Sequence, residues 1–139
     1  MRLRVLLSGL TFFGAALGLA WGPLIAEAHV VNDRARACTI VGTAGNDVLM
    51  GTAGNDVICG KGGDDTISGI GGDDIVRGGP GNDVLEGGAG RDIIRGGKGS
   101  DRLYAYDGTH DHLYGGTGYD RGWRDRTLDT IRGVESYPG

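Results

Sequence analysis

At 139 residues with a formal net charge of −4, the chain has room for one domain. Thirty glycines and 6% aromatic residues argue against a conventional two-layer core packed from large side chains. The 14 basic residues are scattered among 18 acidic ones, which excludes a nucleic-acid-binding face.

The chain opens with a short basic start, Arg2 and Arg4. Val5 to Ile25 is almost wholly apolar and uncharged, and Ala26, Glu27 and Ala28 close it with small residues at the two positions a signal peptidase reads. This pattern predicts a secretory signal peptide over 1–28, cleaved after Ala28. An uncleaved anchor is the alternative, since the run is nearly long enough to span a bilayer. The glycines and the A-x-A ending favour cleavage. Arg2 and Arg4 are not adjacent, so a twin-arginine route has no support. The mature chain, His29–Gly139, would have 111 residues, 12 basic and 17 acidic, and a net charge of −5.

A polar lead without apolar periodicity follows, and 29–38 is read as an N-terminal lead and cap. Cys38, Thr39, Ile40 and Val41 fit the last four positions of a partial nine-residue unit, with Ile40 in the core phase. Cys38 and Cys59 are the only cysteines, and an exported chain with two suggests one disulfide. In a regular stack Val41 lies beside Cys59, which leaves Cys38 roughly 10 Å further along. A bond therefore requires Cys38 to fold back over the first turn. Two separate thiols or zinc ligands are the alternatives, and a zinc site lacks further ligands nearby.

From Gly42 to Tyr104 the chain is seven copies of a nine-residue unit with no gaps. Glycine holds the first position of every copy and also the fourth, at Gly45, Gly54, Gly63, Gly72, Gly81, Gly90 and Gly99. Aspartate holds the sixth, at Asp47, Asp56, Asp65, Asp74, Asp83, Asp92 and Asp101. A branched aliphatic holds the eighth, at Leu49, Ile58, Ile67, Val76, Leu85, Ile94 and Leu103. A fixed short period of this kind predicts a solenoid, in which each unit buries its apolar face only against its neighbours. Positions seven to nine read as a three-residue strand, and positions one to six as a turn whose glycines supply positive φ. Two units make one coil, and successive coils stack at the parallel-strand spacing of about 4.8 Å.

Stacking places the odd-copy aspartates in one column and the even-copy ones in another. Two carboxylates about 5 Å apart repel by roughly 1 kcal/mol in water and several-fold more at an effective dielectric near 20. A hard divalent cation between successive turns removes that repulsion. Calcium takes six to eight oxygens, carboxylate and carbonyl alike. Each unit thus reads as half of a calcium site, completed two units on. Residues 39–76 hold six aspartates against one lysine, so the first units should attract calcium most strongly.

After Tyr104 the period degrades. Ala105 to Tyr114 is a ten-residue copy that keeps Asp111 and Leu113. Gly115 to Asp120 restores the turn half, but Gly122 and Trp123 replace the aliphatic phase. Bulges or loops are expected here. Asp120 is a candidate ligand; Asp111 is a weaker one, because the insertion shifts its turn. His110 and His112 flank Asp111 and read as surface histidines, since a metal site needs a third ligand and a rigid frame. Over 124–139, Ile131 and Val134 offer a capping strand, and Trp123, Leu128 and Tyr137 could close the core.

The unit resembles the nonapeptide of the RTX (repeats-in-toxin, haemolysin-type calcium-binding) family. The resemblance implies an all-β parallel β-roll over 39–123, regular at 42–104 and degenerate at 105–123, with a C-terminal cap at 124–139. It implies several calcium ions, held by the sixth-position aspartates from Asp47 to Asp101 with Asp120, and by backbone carbonyls near the seven fourth-position glycines. Family arrays end in similar Asp-x-Ile and Val-Glu segments, which implies the same capping role for 129–135. The departures are Thr43, Thr52, Lys61 and Ile70 at position two, where the family prefers glycine. These turns should be stiffer or their sites weaker.

The reading that follows is a secreted, non-catalytic roll that folds on binding calcium, with no stable membrane span after signal cleavage. An adhesive or structural module of the cell envelope is the alternative, with a protein or glycan partner. A secreted enzyme or toxin is disfavoured. The sequence lacks H-E-x-x-H and G-x-S-x-G and shows no nucleophile–base constellation.

Overall fold

The computed structural model describes residues 36–125 and 129–135. Eleven strands alternate between two parallel sheets, and no helix occurs among the described residues. The six-stranded sheet holds β1 (Ile40–Val41), β3 (Val57–Cys59), β5 (Ile75–Pro80), β7 (Ile93–Lys98), β9 (His112–Thr117) and β11 (Thr130–Arg132) in that order. The five-stranded sheet holds β2 (Val48–Met50), β4 (Thr66–Ser68), β6 (Val84–Glu86), β8 (Arg102–Ala105) and β10 (Arg121–Arg124). Each strand therefore pairs with the one two units away, which is a parallel β-roll of about five coils.

The eighth-position residues set the register. Ile58, Val76, Ile94, Leu113 and Ile131 are successive partners in one sheet, and Leu49, Ile67, Leu85 and Leu103 in the other. From Ile58 to Leu113 these side chains are no more than 1% exposed and form a single core cluster. Residues seven and nine point the other way, as the two-residue period of a strand requires. That outer face carries a small second cluster of Val57, Cys59 and Ile75 on the six-stranded sheet.

Several strands are longer than the three residues expected. β5, β7 and β9 run on through the first three positions of the next unit, where Gly79 pairs with Gly97 and Gly97 with Gly116.

The two ends are built differently. At the start, Val41 pairs with Cys59, and Cys38 leaves the stack to lie over the outer cluster, where it forms the disulfide with Cys59. At the far end, β11 pairs with β9, and Ile131 packs on the core. Gly122 occupies the eighth position of its unit, and the space above it is filled by Val134, Ile131 and Leu113. Trp123 does not enter the core. It follows Gly122 on the outer face and stacks on Tyr104 with ring centroids 4.6 Å apart. Leu128 and Tyr137 lie outside the described residues, as does the expected signal segment 1–28.

The ten-residue copy does not break the stack. Its extra residue goes into an outward bulge where Tyr106 is exposed and Gly108 faces open space. The register of β7 with β9 then becomes 19 residues instead of 18, and Asp111 keeps its place in the column.

Candidate metal centre

Each row of turns is bound together by its aspartates. In one row the N–H of Asp47 donates to Oδ1 of Asp65, Asp65 to Asp83, Asp83 to Asp101 and Asp101 to Asp120, all at 2.8–2.9 Å. In the other, Asp56 donates to Asp74, Asp74 to Asp92, Asp92 to Asp111 and Asp111 to Asp129, at 2.8–3.0 Å. The first row ends on a glutamate, since the N–H of Asp120 donates to Oε2 of Glu135 at 2.6 Å.

A second ladder runs in the opposite direction through position five. The N–H of Asp64 donates to Oδ1 of Asn46, Asn82 to Asp64 and Ser100 to Asn82, at 2.8–2.9 Å. Asp73 donates to Asn55 and Arg91 to Asp73 in the other row. The ladder ends at Arg91 and Ser100, which donate their N–H groups but carry no Asx oxygen to accept from the coil that follows.

The aspartate ladder uses one carboxylate oxygen. The other, Oδ2, is buried without a hydrogen-bond partner in Asp65, Asp74, Asp83, Asp92, Asp101, Asp111 and Asp120, residues that are at most 1% exposed. Burying an ionised carboxylate oxygen with no partner is among the costliest arrangements a fold can hold. A main-chain carbonyl lies close by. A Cβ placed on Gly60 would overlap Asp65 Oδ2 and lie 2.8 Å from the carbonyl oxygen of Gly78 in the next coil. The same pair of oxygens recurs at Gly42, Gly51, Gly69, Gly78, Gly96 and Gly115, so the first two turns share this feature and differ in the donors that reach their carboxylates. The first-position glycine is therefore fixed by space, not by φ: any side chain would fill the gap between the two oxygens.

Later fourth-position glycines are fixed by both. Gly81, Gly90, Gly99 and Gly118 have φ from 121° to 140°, and each lies against the carbonyl of the fourth-position glycine one coil earlier. These carbonyls thus run along the stack from turn to turn.

Electrostatics follow the burial. Desolvation pushes Asp92 up to about 8, and Asp74, Asp101 and Asp111 up to about 6. Asp83 and Asp120 are raised for the same reason, and the carboxylates of neighbouring coils add to it. Asp107 moves the other way. It accepts hydrogen bonds from the N–H of Gly90 and from the N–H and hydroxyl of Thr109, which hold it below the usual range against its own desolvation.

Asp47 and Asp56 break the pattern. Their Oδ2 atoms accept from the N–H and the hydroxyl of Thr43 and of Thr52 respectively, at 2.6–2.9 Å. The position-two threonines, expected to stiffen their turns or weaken their sites, close the carboxylates of their own units. Lys61 and Ile70 adopt positive φ at the same position, 87° and 79°.

Oxygen chemistry selects the ion that fits. Among the described residues no three His, Cys, Asp or Glu side chains converge. An ion between coils would meet two carboxylates and take its remaining ligands from carbonyls, which suits calcium and not zinc. His110 is exposed and His112 lies at the outer-face phase of β9, so the pair does not converge on Asp111.

A parallel roll with carboxylate and carbonyl oxygens gathered between stacked turns is a cation-binding solenoid. Residues 39–67 and 68–103 match the RTX calcium-binding nonapeptide repeat in four copies. The roll is thus built of calcium-binding repeats. No curated protein sequence matches the chain. A solved structure similar to it is the solution structure of the AlgE6R3 subunit from the Azotobacter vinelandii mannuronan C5-epimerase, with 29% identity over 69% of this chain and a TM-score of 0.26. The match spans about half of that chain, 51%.

The sequence alone did not reveal three parts of the site. These are the position-five ladder, the threonine closure of Asp47 and Asp56, and the carboxylates of Asp129 and Glu135. The available signals were the Asx run at position five and the 18-residue step from Asp111 to Asp129.

Proposed function

We propose that this chain is an exported, non-catalytic calcium-binding roll whose coils close only when calcium lies between turns two units apart. Sixth-position carboxylates and turn carbonyls, including those near Gly63, Gly72, Gly81, Gly90 and Gly99, hold the ions. The observation that carries this reading is the set of seven buried, unpartnered Oδ2 atoms. Without a cation, stacking would bury these charges unpaired. With one, binding free energy becomes folding free energy.

Export supports the same reading. Where free calcium is scarce the acidic, glycine-rich chain would remain unfolded and competent for translocation. At millimolar calcium outside the cell it would fold. The basic start, apolar run and A-x-A ending at 1–28 fit the general export route, and the disulfide fits an oxidising compartment.

Calcium titration of the exported chain, followed by far-UV circular dichroism with magnesium as control, tests the coupling. A cooperative coil-to-β transition with calcium and not with magnesium is expected. A β signal indifferent to calcium and chelator would overturn it.

A further inference from the structure

We infer that the row of calcium sites is displaced toward the C-terminal cap: Asp47 and Asp56 take no ion through Oδ2, whereas Glu135, outside the nonapeptide repeats, completes the last site of its row. This rests on the calcium reading above and adds which carboxylates serve it.

The first coil already satisfies its own carboxylates. Oδ2 of Asp47 and of Asp56 each receives two donors from a threonine four residues earlier. A cation there would have to displace an N–H and a hydroxyl that both point at the oxygen. The turn backbone differs as well. In units three to seven the second and fourth residues have positive φ, from Lys61 and Gly63 to Gly97 and Gly99. No residue of the first two units does. A Cβ on Gly45 or Gly54 would meet only a threonine hydroxyl at 3.8–3.9 Å, whereas one on Gly63 or Gly72 would overlap the preceding coil's backbone. The first two turns are thus threonine-closed, and the Cys38–Cys59 bond ties that coil together.

The far end shows the opposite. Asp111 and Asp120 are 0% exposed, and their Oδ2 atoms have no partner. The N–H of Asp120 is held by Oε2 of Glu135, and that of Asp111 by Oδ1 of Asp129, whose Oδ2 is closed by the N–H of Asp125 at 2.8 Å. The carbonyl of Gly133 joins Asp120 Oδ2 beside Gly115. The N–H of Glu135 donates to the carbonyl of Asp120 at 3.0 Å, so the cap is held in place to present its carboxylate. The unpartnered oxygens then define a row of sites that starts with the pair Asp65 and Asp83 and ends with the pair Asp120 and Glu135.

Calcium bound per chain, measured by equilibrium dialysis with elemental analysis on the exported protein, tests this. Asp47→Asn and Asp56→Asn should leave the count unchanged. Glu135→Gln, which keeps an oxygen to accept the ladder N–H, should lower it by about one ion, and Asp83→Asn, which stands in two pairs, by about one or two. Loss of ions in Asp47→Asn comparable to Asp83→Asn, or a full count in Glu135→Gln, would overturn the displacement. Failure of the wild-type chain to bind calcium would instead overturn the underlying reading. A second comparison does not depend on counting. Gly45→Ala should leave the calcium midpoint within about twofold, whereas Gly63→Ala should raise it roughly tenfold or more. Equal shifts would show that the first turn is an ordinary calcium turn and sink the assignment.

Discussion

The N–H of Asp83 donates to Oδ1 of Asp101 at 2.9 Å, and Oδ2 of the same Asp101 is buried with no partner. One carboxylate thus does two different jobs. One oxygen holds the previous coil, and the other is left for an ion. Asp101→Asn keeps an acceptor for the ladder but removes the charge. It should weaken the calcium-loaded state by about 2 kcal/mol, the worth of a charged contact. Urea denaturation in calcium, with hydrogen exchange of the Asp83 N–H to show that the ladder is kept, would check it.

The raised carboxylates predict opposite pH responses for the two states. Burial lifts Asp92 to about 8, and Asp74, Asp101 and Asp111 to about 6, from an ordinary value near 3.8. In the metal-free roll the folded state holds these protons more tightly than the unfolded chain. Its stability therefore falls as pH rises from about 4 to about 8, where the buried charges appear, and recovers as pH drops. Calcium needs the same oxygens deprotonated, so the loaded roll should instead lose ions as pH falls through 8 to 6. Far-UV circular dichroism from pH 9 to pH 5 should show β structure gained in chelator and lost in calcium.

Much of this was legible because the period is physical. A residue that must face inward every nine positions announces itself, and so Leu49 to Leu103 and the two aspartate columns could be placed from sequence. The pairing of Val41 with Cys59 followed from the same count. What the sequence hid depends on direction. Asn46 is a turn residue by composition, yet its role is to accept from Asp64 one coil later, and no propensity encodes which neighbour a side chain meets. Trp123 read as core because it is large and apolar, but the phase that puts Gly122 inside puts Trp123 outside, on Tyr104. The insertion at 105–114 looked disruptive because a one-residue shift breaks a stack unless it bulges outward, as it does at Tyr106 to Gly108.

Ile70 is a β-branched residue at φ 79°, and its side chain is 45% exposed, so little packing offsets the strain. Left-handed backbone costs an L-residue roughly 1–2 kcal/mol. Glycine would remove that cost while losing about 0.5–1 kcal/mol through unfolded-chain entropy. Ile70→Gly should therefore stabilise the calcium-loaded roll by up to about 1 kcal/mol. A rise in the urea midpoint without a change in slope would confirm it.

The Cys38–Cys59 bond closes a loop with a sequence separation of 21. Restricting such a loop in the unfolded chain is worth about 3 kcal/mol. The bond should leave the calcium sites untouched, because the coil it closes is the threonine-closed one. Reduction should lower the urea midpoint of the calcium-loaded roll while the number of ions bound stays unchanged. A loss of ions on reduction would contradict that account.

Leu85 sits midway along the core, 0% exposed, between Ile67 and Leu103 in its own sheet. Truncation to alanine removes a buried side chain from a core only two residues thick, at a cost of about 3–4 kcal/mol. Leu49, half-buried at the end of its row, should cost about half as much. The consequences should also differ in kind. Each coil touches only its neighbours, so a defect at Leu85 lies between two intact segments, whereas one at Leu49 merely shortens the stack. Hydrogen exchange in calcium should show Leu85→Ala lowering protection on both sides of the defect. In Leu49→Ala the loss should be confined to the first coil, with protection beyond Ile67 preserved.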